Sequence, residues 1–279
     1  MFKSQSAMEY LMTYGWSILI VAVVLGALSF LGVFNPLTFA PKASAGGCQV
    51  IKNAQLGVSN LVGSCNNQVP QYVAEFNGQS SYIDLGNPQE FKVGNGDSIT
   101  ISAWISLNAC GADGIVAHGS DSYVFYLQPC NLEFAESLVA NIGQGPTLST
   151  KRFINVVAVN NVGSNVILYV NGAEYGPYSF TNSYQYTEDL RIGSSQSDSN
   201  GYIFNGSISN VQIYNTSLTG SSIQALYQEG IGGVPIDPQN LTGWWPLNGN
   251  ANDYSGNQNN GVPTNVVFTS DWYGGYTQP

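Results

Sequence analysis

Few residues of this chain could do specific chemistry, and the cysteines come first. Cys48, Cys65, Cys110 and Cys130 make an even set with no C-x-x-C pair and no histidine-rich spacing, which favours disulfides over a zinc site. Three connectivities are open. Cys48 with Cys65 and Cys110 with Cys130 is the expected pairing, each bridge stapling one loop-like stretch; reduced structural cysteines are the alternative. Glu133 and Glu136 form the nearest carboxylate pair. Cleaving a glycosidic bond needs two carboxyl groups flanking it, whereas residues three apart on a strand face opposite ways. His118, the one histidine, has no nucleophilic serine or cysteine motif around it and reads as a loop histidine with a local hydrogen bond. A non-catalytic domain is therefore expected. Trp104, Tyr126, Trp244, Trp245 and Trp272 could give a sugar ring an aromatic platform, although most are expected in the core. Asn205-Gly206-Ser207, Asn215-Thr216-Ser217 and Asn240-Leu241-Thr242 are N-glycosylation motifs, with Asn205 and Asn215 expected exposed near strand ends.

The elements that must position these residues read as strands. Ser98–Leu107 alternates, with Ile99, Ile101, Ala103, Ile105 and Leu107 on one face. Trp104 falls on the opposite, polar face, which is expected to be covered or used. Val124–Leu127, Phe153–Val159, Asn165–Val170, Leu190–Ile192, Gly206–Tyr214 and Gly243–Leu247 continue the series, and Asn171-Gly172 suits a type I′ hairpin turn. One helix interrupts them, opened by a capping box at Ser221-Ser222-Ile223-Gln224 and closed at Gly230, with Ile223, Leu226 and Tyr227 on its packed face. Short strands with regular turns predict an all-β jelly-roll sandwich. Only 9% of the residues are charged and the net charge is −10. Beyond the linker the cations Lys52, Lys92, Lys151, Arg152 and Arg191 are too scattered to neutralise a phosphate backbone, so nucleic acid is not an expected partner. Low charge with 12% aromatics suits an exported β protein rather than a disordered one.

The amino-terminal stretch Gln5–Phe34 is of another kind. From Trp16 to Phe34 it holds no charge, proline or amide. As a helix that span is ~28 Å long, close to the ~30 Å hydrocarbon thickness of a bilayer. It predicts a single transmembrane helix meeting lipid along residues 11–34, with the β part outside the cell. A plain uncleaved anchor is one alternative. A cleaved signal peptide with an A-x-A site at Ala43-Ser44-Ala45 is another. Asn35–Gly47 reads as a linker, and Cys48–Pro70 as a small region closed by the first disulfide.

Two resemblances sharpen this outline. Lys3-Ser4 followed by Gln5-Ser6-Ala7-Met8-Glu9-Tyr10 resembles the class III signal peptide of archaeal type IV pilin-like proteins. That resemblance implies cleavage between Ser4 and Gln5 and retention of the hydrophobic segment. It also implies pairing of Glu9 with a new amino terminus on a neighbouring helix during assembly; a solvated Glu9 in the headgroup region is the alternative. Ala22 and Gly26 would allow close helix contact. Phe76–Leu85 (FNGQSSYIDL), then SITISAW, LYVNG, LRIGSS and FNGSISNVQIYNTSLTGSSIQALYQ, resemble the LamG-like, concanavalin A-like lectin/glucanase jelly roll across about the last two hundred residues. Trp244–Gly256 resembles the opening strand and loop of such a domain although it comes last, so the carboxyl-terminal strand is expected to pair where the first usually lies, folded back in its own domain, with donation to a neighbour as the alternative. The glucanase motif E-x-D-x-x-E is absent. Members of this fold often bind calcium, which makes Asp253, with Asp84 or Asn259, a candidate structural site, an Asx turn at Asp253 being the alternative. No other cofactor is implied.

The expected layout is a leader at 1–4, a helix at 5–34, a linker at 35–47, a disulfide-closed segment at 48–70 and a jelly roll at 71–279. The expected function is a membrane-anchored or pilin-like surface protein whose jelly roll binds a glycan or a surface protein. A tethered polysaccharide hydrolase and a purely structural filament subunit are the alternatives.

Overall fold

The alternation in Ser98–Leu107 is a ten-residue strand of the computed structural model, and its apolar face supplies one wall of the core. The structure describes residues 7–30, 33, 42–53, 55, 57–65, 68–94, 96–119, 121–136, 140–179, 184–195 and 202–279; of residues 7–13, 136 and 140–142 only the backbone is described. The cleavage pair Ser4 and Gln5 and the side chain of Glu9 lie outside the described residues.

In chain order the elements are α1 (Ala7–Phe30), β1 (Lys42–Ala43), β2 (Cys48–Asn53), β3 (Val58–Gly63), β4 (Val69–Pro70), β5 (Val73–Asn77), β6 (Tyr82–Asp84) and β7 (Ser98–Leu107). There follow β8 (Asp113–His118), β9 (Tyr123–Leu127), β10 (Asn131–Glu136), β11 (Ala140–Thr147), β12 (Ile154–Asn161), β13 (Asn165–Val170) and β14 (Ala173–Ser179). The chain ends with β15 (Leu190–Ile192), β16 (Asn205–Tyr214), α2 (Gly220–Gln228), β17 (Leu241–Trp245), β18 (Val262–Thr264) and β19 (Val267–Thr269).

Two large sheets form the sandwich. One runs β11-β10-β9-β8-β15-β6-β18; the other runs β14-β13-β12-β7-β16-β5-β19, with β17 also paired to β16. Their facing sides bury Ile83, Phe125, Leu132 and Phe134 with Ile99, Ile101, Ala103, Ile105 and Leu107, the whole apolar row read from the alternation. The fold is an all-β jelly-roll sandwich.

The outer side of the second sheet is covered as well. The β2–β3 hairpin and α2 contribute Val50 and Ile223 to a second apolar cluster with Val157, Tyr169, Tyr214 and Trp244. The helix is capped by Thr219, whose hydroxyl accepts the Ser222 N–H at 3.2 Å, two residues ahead of the expected box at Ser221. Gly230 closes it at φ +77°. The carboxyl-terminal strands fold back into their own domain, β17 on β16, β18 on β6 and β19 on β5. β17 ends at Trp245, earlier than the expected Leu247, because Leu247 sits at φ +56°.

Both disulfides are local, Cys48–Cys65 and Cys110–Cys130, with Cα separations of 4.9 and 5.0 Å. The chain divides into two compact units, Met1–Ala40 and Pro41–Pro279, and the hairpin segment belongs to the second. The first unit contains α1, whose apolar side chains Trp16, Ile18 and Val23 are well exposed. Its described side chains begin at Tyr14, and among the described residues no helix is long and apolar enough to cross a membrane.

Candidate functional site

Trp104 shows how the alternation of β7 builds a site. The strand sends its isoleucines inward, so Trp104 must point to the outer side, where it is 2% exposed. There it stacks on Tyr227 of α2, ring centroids 5.9 Å apart and planes 21° apart, and meets Tyr276 edge-on at 5.5 Å. The helix register that buries Ile223 and Leu226 leaves Tyr227 half-buried at its rim. Tyr276 is held because its hydroxyl accepts the Ile231 N–H at 3.1 Å. The tail around it is tied to β12 by the Phe153 N–H donating to Gly275 O at 2.7 Å.

Trp104, Tyr227 and Phe153 form part of a groove of about 330 Å³ where the end of β11 approaches the start of β12, the β13–β14 turn and the tail. Pro146 to Ser149, Arg152, Asn171, Tyr175 and Thr277 complete most of its lining. The turn is the expected one, with Asn171 and Gly172 at φ +49° and +77°. It is fixed by Asn171 Oδ1, which accepts the Asn155 N–H at 2.9 Å. Among the described residues, the side chains of Ser149, Arg152, Tyr175, Tyr227 and Thr277 make no hydrogen bond, and the Trp104 indole N–H has no acceptor. The groove thus combines aromatic faces with open donors and acceptors, as ligand sites of this size commonly do.

The other residues singled out by sequence lie elsewhere. Trp244 and Trp245 are buried, their indole N–H groups donating to Asn210 Oδ1 at 2.8 Å and Asn259 O at 2.9 Å. Trp272 packs edge-on against Phe153 at 5.6 Å and steadies the tail. Tyr126 is in register with Glu133 on the first sheet and stacks on Tyr202 at 6.1 Å; burial and the hydrogen bond to Glu133 push its phenol up. Glu133 is buried, with Oε1 accepting from Gln144 Nε2 at 2.9 Å and Oε2 unpartnered. Glu136 follows in register with Tyr123, its side chain outside the described set.

His118 departs from expectation. It ends strand β8 fully buried instead of sitting in a loop, with Nε2 3.0 Å from Asn87 Oδ1, far along the chain. Burial lowers its pKa to about 4, so it is neutral at physiological pH.

The candidate calcium residues are engaged in local bonds. Asp253 Oδ1 accepts from the N–H groups of Trp244 at 3.0 Å and Ser255 at 2.8 Å; Oδ2 accepts from Ser255 Oγ and the Asn259 N–H, both at 2.9 Å. That is the Asx-turn arrangement. Asp84 accepts the Gly86 N–H at 2.8 Å and pairs with Arg191 at 3.5 Å. Among the described residues, no three His, Cys, Asp or Glu side chains cluster as a metal site.

Asn215 is exposed just past β16, as expected, whereas Asn205 is half-buried at the first position of that strand and accepts from Asn108 Nδ2 at 3.3 Å. Asn240 is half-buried and donates to Asp237 Oδ2 at 2.8 Å. Sequence reasoning missed Arg152, Tyr175 and Asp113. The Asp113 carboxyl is 2% exposed, with Oδ1 accepting the Asn205 N–H at 2.9 Å and Oδ2 unpartnered, and burial raises its pKa to about 6. Its place at the head of an apolar run, D-G-I-V-A, was the available signal.

Comparison with known proteins bears on the fold. The family model Laminin_G_3, described as concanavalin A-like lectin/glucanases superfamily, matches residues 77–224. No curated protein matches the sequence. Among solved structures, a provisionally assigned carbohydrate binding protein from Bacteroides ovatus aligns with a TM-score of 0.58 at 15% identity, over 76% of this chain and 67% of that one. A heptameric SAP-like pentraxin from Limulus polyphemus aligns with a TM-score of 0.49 at 14% identity, over 71% and 94%. Domain 4 of an extracellular GH43 arabinanase from Geobacillus stearothermophilus, in complex with arabinotriose, aligns at 0.42 and 18% identity, over 68% and 86%. At 15% identity, the Bacteroides ovatus alignment bears on the fold alone.

Proposed function

The chain belongs to the concanavalin A-like lectin/glucanases superfamily, and from that premise we propose that its jelly roll is a non-catalytic module binding a carbohydrate in the groove around Trp104. The observation that carries this reading is the groove's lining: the rings of Trp104, Tyr175 and Tyr227, together with the hydroxyls of Ser149 and Thr277 and the Arg152 guanidinium, which have no partner among the described residues. A sugar ring has an apolar face to lay on Tyr227 or Tyr175 and hydroxyls to engage the open polar tips. Its volume of about 330 Å³ suits a short oligosaccharide segment. The carbohydrate-binding assignment of the Bacteroides ovatus relative, on the same fold, agrees with this use. A glycan array probed with the detergent-solubilised full chain tests it. Binding abolished by Tyr227→Ala supports the reading; binding unchanged by Tyr227→Ala and Tyr175→Ala counts against it.

The same proposal includes display at a cell surface. The apolar, exposed face of α1 and the pilin-like leader sequence support a helix that stays with the mature chain, in a membrane or in a filament. On this reading Glu9 assembles with a neighbouring amino terminus after cleavage between Ser4 and Gln5. Sequencing the mature amino terminus tests this: a start at Gln5 supports it, and a free domain starting at Gly46 contradicts it.

A hydrolytic second reading has one observation in its favour, the buried Glu133 with an unpartnered Oε2 on the first sheet. Oligosaccharide cleavage lost in Glu133→Gln would establish it.

A further inference from the structure

We propose that the groove prefers an acidic sugar, a uronate or similar carboxylate-bearing residue, and that Arg152 is the group that reads the acid; the inference rests on the carbohydrate-binding reading above. The chain carries a formal charge of −10, with seven Lys and Arg against seventeen Asp and Glu. An anion would therefore be repelled from most of its surface. Among the described residues, no aspartate or glutamate lines the groove, and Arg152 is its charged lining residue. The preceding residue is Lys151, so two of the few cations of the β unit sit side by side here.

The two arginines of the chain are used differently. Arg191 is committed: its guanidinium pairs with Asp84 at 3.5 Å and lies 4.2 Å from the centroid of the Tyr82 ring. Arg152 is exposed and has no ion pair or hydrogen bond among the described residues. Its backbone is nonetheless well placed. Lys151, at φ +58°, donates its N–H to Leu107 O at 2.7 Å, and the Phe153 N–H donates to Gly275 O at 2.7 Å. Bonds on both sides thus fix where the side chain leaves the chain. Such a conformation at a non-glycine residue is uncommon and persists where neighbours hold it.

A guanidinium presents a planar fork that matches a carboxylate with two parallel hydrogen bonds, whereas a neutral hydroxyl accepts one. At physiological ionic strength charges are screened over about 8 Å, so a ligand in the groove responds to Arg152, which lines it, before it responds to charges outside the lining. Tyr175 and Tyr227 supply ring contact, which does not distinguish acidic from neutral sugars. The rings thus support both members of an acidic and neutral pair, whereas Arg152 favours the acidic one, so the preference can be read apart from the affinity.

The test measures binding of the full chain in detergent to matched pairs: oligogalacturonate and oligoglucuronate, each beside its carboxyl-reduced neutral counterpart. The acidic member of at least one pair should bind about tenfold tighter, the equivalent of one strong charge-assisted contact. Arg152→Gln should erase that preference by weakening the acidic member far more than the neutral one, with the melting temperature unchanged. Arg152→Lys should restore part of it, and Tyr227→Ala should weaken both members together. Raising salt should narrow the gap. Equal binding of acidic and neutral members by the wild type overturns the acid preference and leaves the carbohydrate reading standing. An acid preference that survives Arg152→Gln overturns the role of Arg152. Binding of no member of any pair overturns the preference and counts against the carbohydrate reading itself.

Discussion

Two aromatic groups in this protein are built from similar residues and end in opposite states. Around His118, the rings of Tyr123, Tyr184 and Tyr186 gather with contacting centroids 4.7 to 6.3 Å apart. Their polar tips are engaged inside the protein. Tyr123 donates to Phe91 O at 3.3 Å, Tyr186 to Val93 O at 2.7 Å, and the Tyr184 hydroxyl accepts from Asn160 Nδ2 at 2.6 Å. Around Trp104 the rings pack comparably, yet Tyr175 and Tyr227 keep hydroxyls without a partner among the described residues. Aromatic and amide content is alike in both. What separates a core cluster from a binding surface is whether the polar tips already have partners, since a buried hydroxyl without one is costly while a solvated one keeps water it can exchange for a ligand.

The comparison breaks first on stability. Tyr123→Ala removes a fully buried ring and should cost about 3–5 kcal/mol by denaturant or thermal unfolding; a loss below about 1 kcal/mol would mean that the cluster is not core. Tyr227→Ala should reverse the balance. Half-buried at the groove rim, it should cost about 1 kcal/mol of stability and tenfold or more in oligosaccharide affinity, read by calorimetry.

A smaller effect concerns pH. The Asp113 carboxyl, raised by burial from 3.8 to about 6, binds more protons folded than unfolded between those values. Folding therefore gains stability as pH falls from about 6 toward 3.8 and loses it as pH rises. His118, lowered from 6.5 to about 4, acts the other way: stability is lost as pH falls from 6.5 toward 4. The two offset each other in mild acid. Asp113→Asn should raise the melting temperature at pH 7 by a few degrees and unmask the His118 loss as a decline below pH 6.5. Binding should not follow either titration, since among the described residues no carboxylate or histidine lines the groove; affinity for a neutral sugar that changes between pH 5 and 8 would break the separation of the two regions. The smallest expected effect is that of a chelator. With Asp253 engaged by four donors, EDTA should leave the melting curve where it was.

Much of the fold was legible because it rests on local pattern. The alternation of Ser98–Leu107 named its buried row, Asn171-Gly172 marked its turn, and the late Trp244–Gly256 stretch pointed to carboxyl-terminal pairing inside the domain. Misreadings arose where partners are distant in sequence. The bond between His118 and Asn87 spans 31 positions, and the bond that holds Asn205 to Asn108 spans 97. Thr219 displaced Ser221 as the helix cap because the chain leaving β16 brings its hydroxyl to the Ser222 N–H. The groove was hardest to see. Trp104 could be assigned to the polar face, but its neighbours come from β11, β12, the β13–β14 turn, α2 and the tail, and no spacing in the sequence announces that meeting.

The most direct test follows the tryptophan indole N–H signals by NMR while the tightest-binding oligosaccharide is added to the isotope-labelled full chain. Trp244 and Trp245 already donate within the protein, at 2.8 and 2.9 Å, whereas Trp104 lines the groove without an acceptor among the described residues. The Trp104 signal should move in proportion to occupancy while those of Trp244 and Trp245 stay in place. Saturable binding that leaves Trp104 unmoved would place the sugar elsewhere and contradict the account.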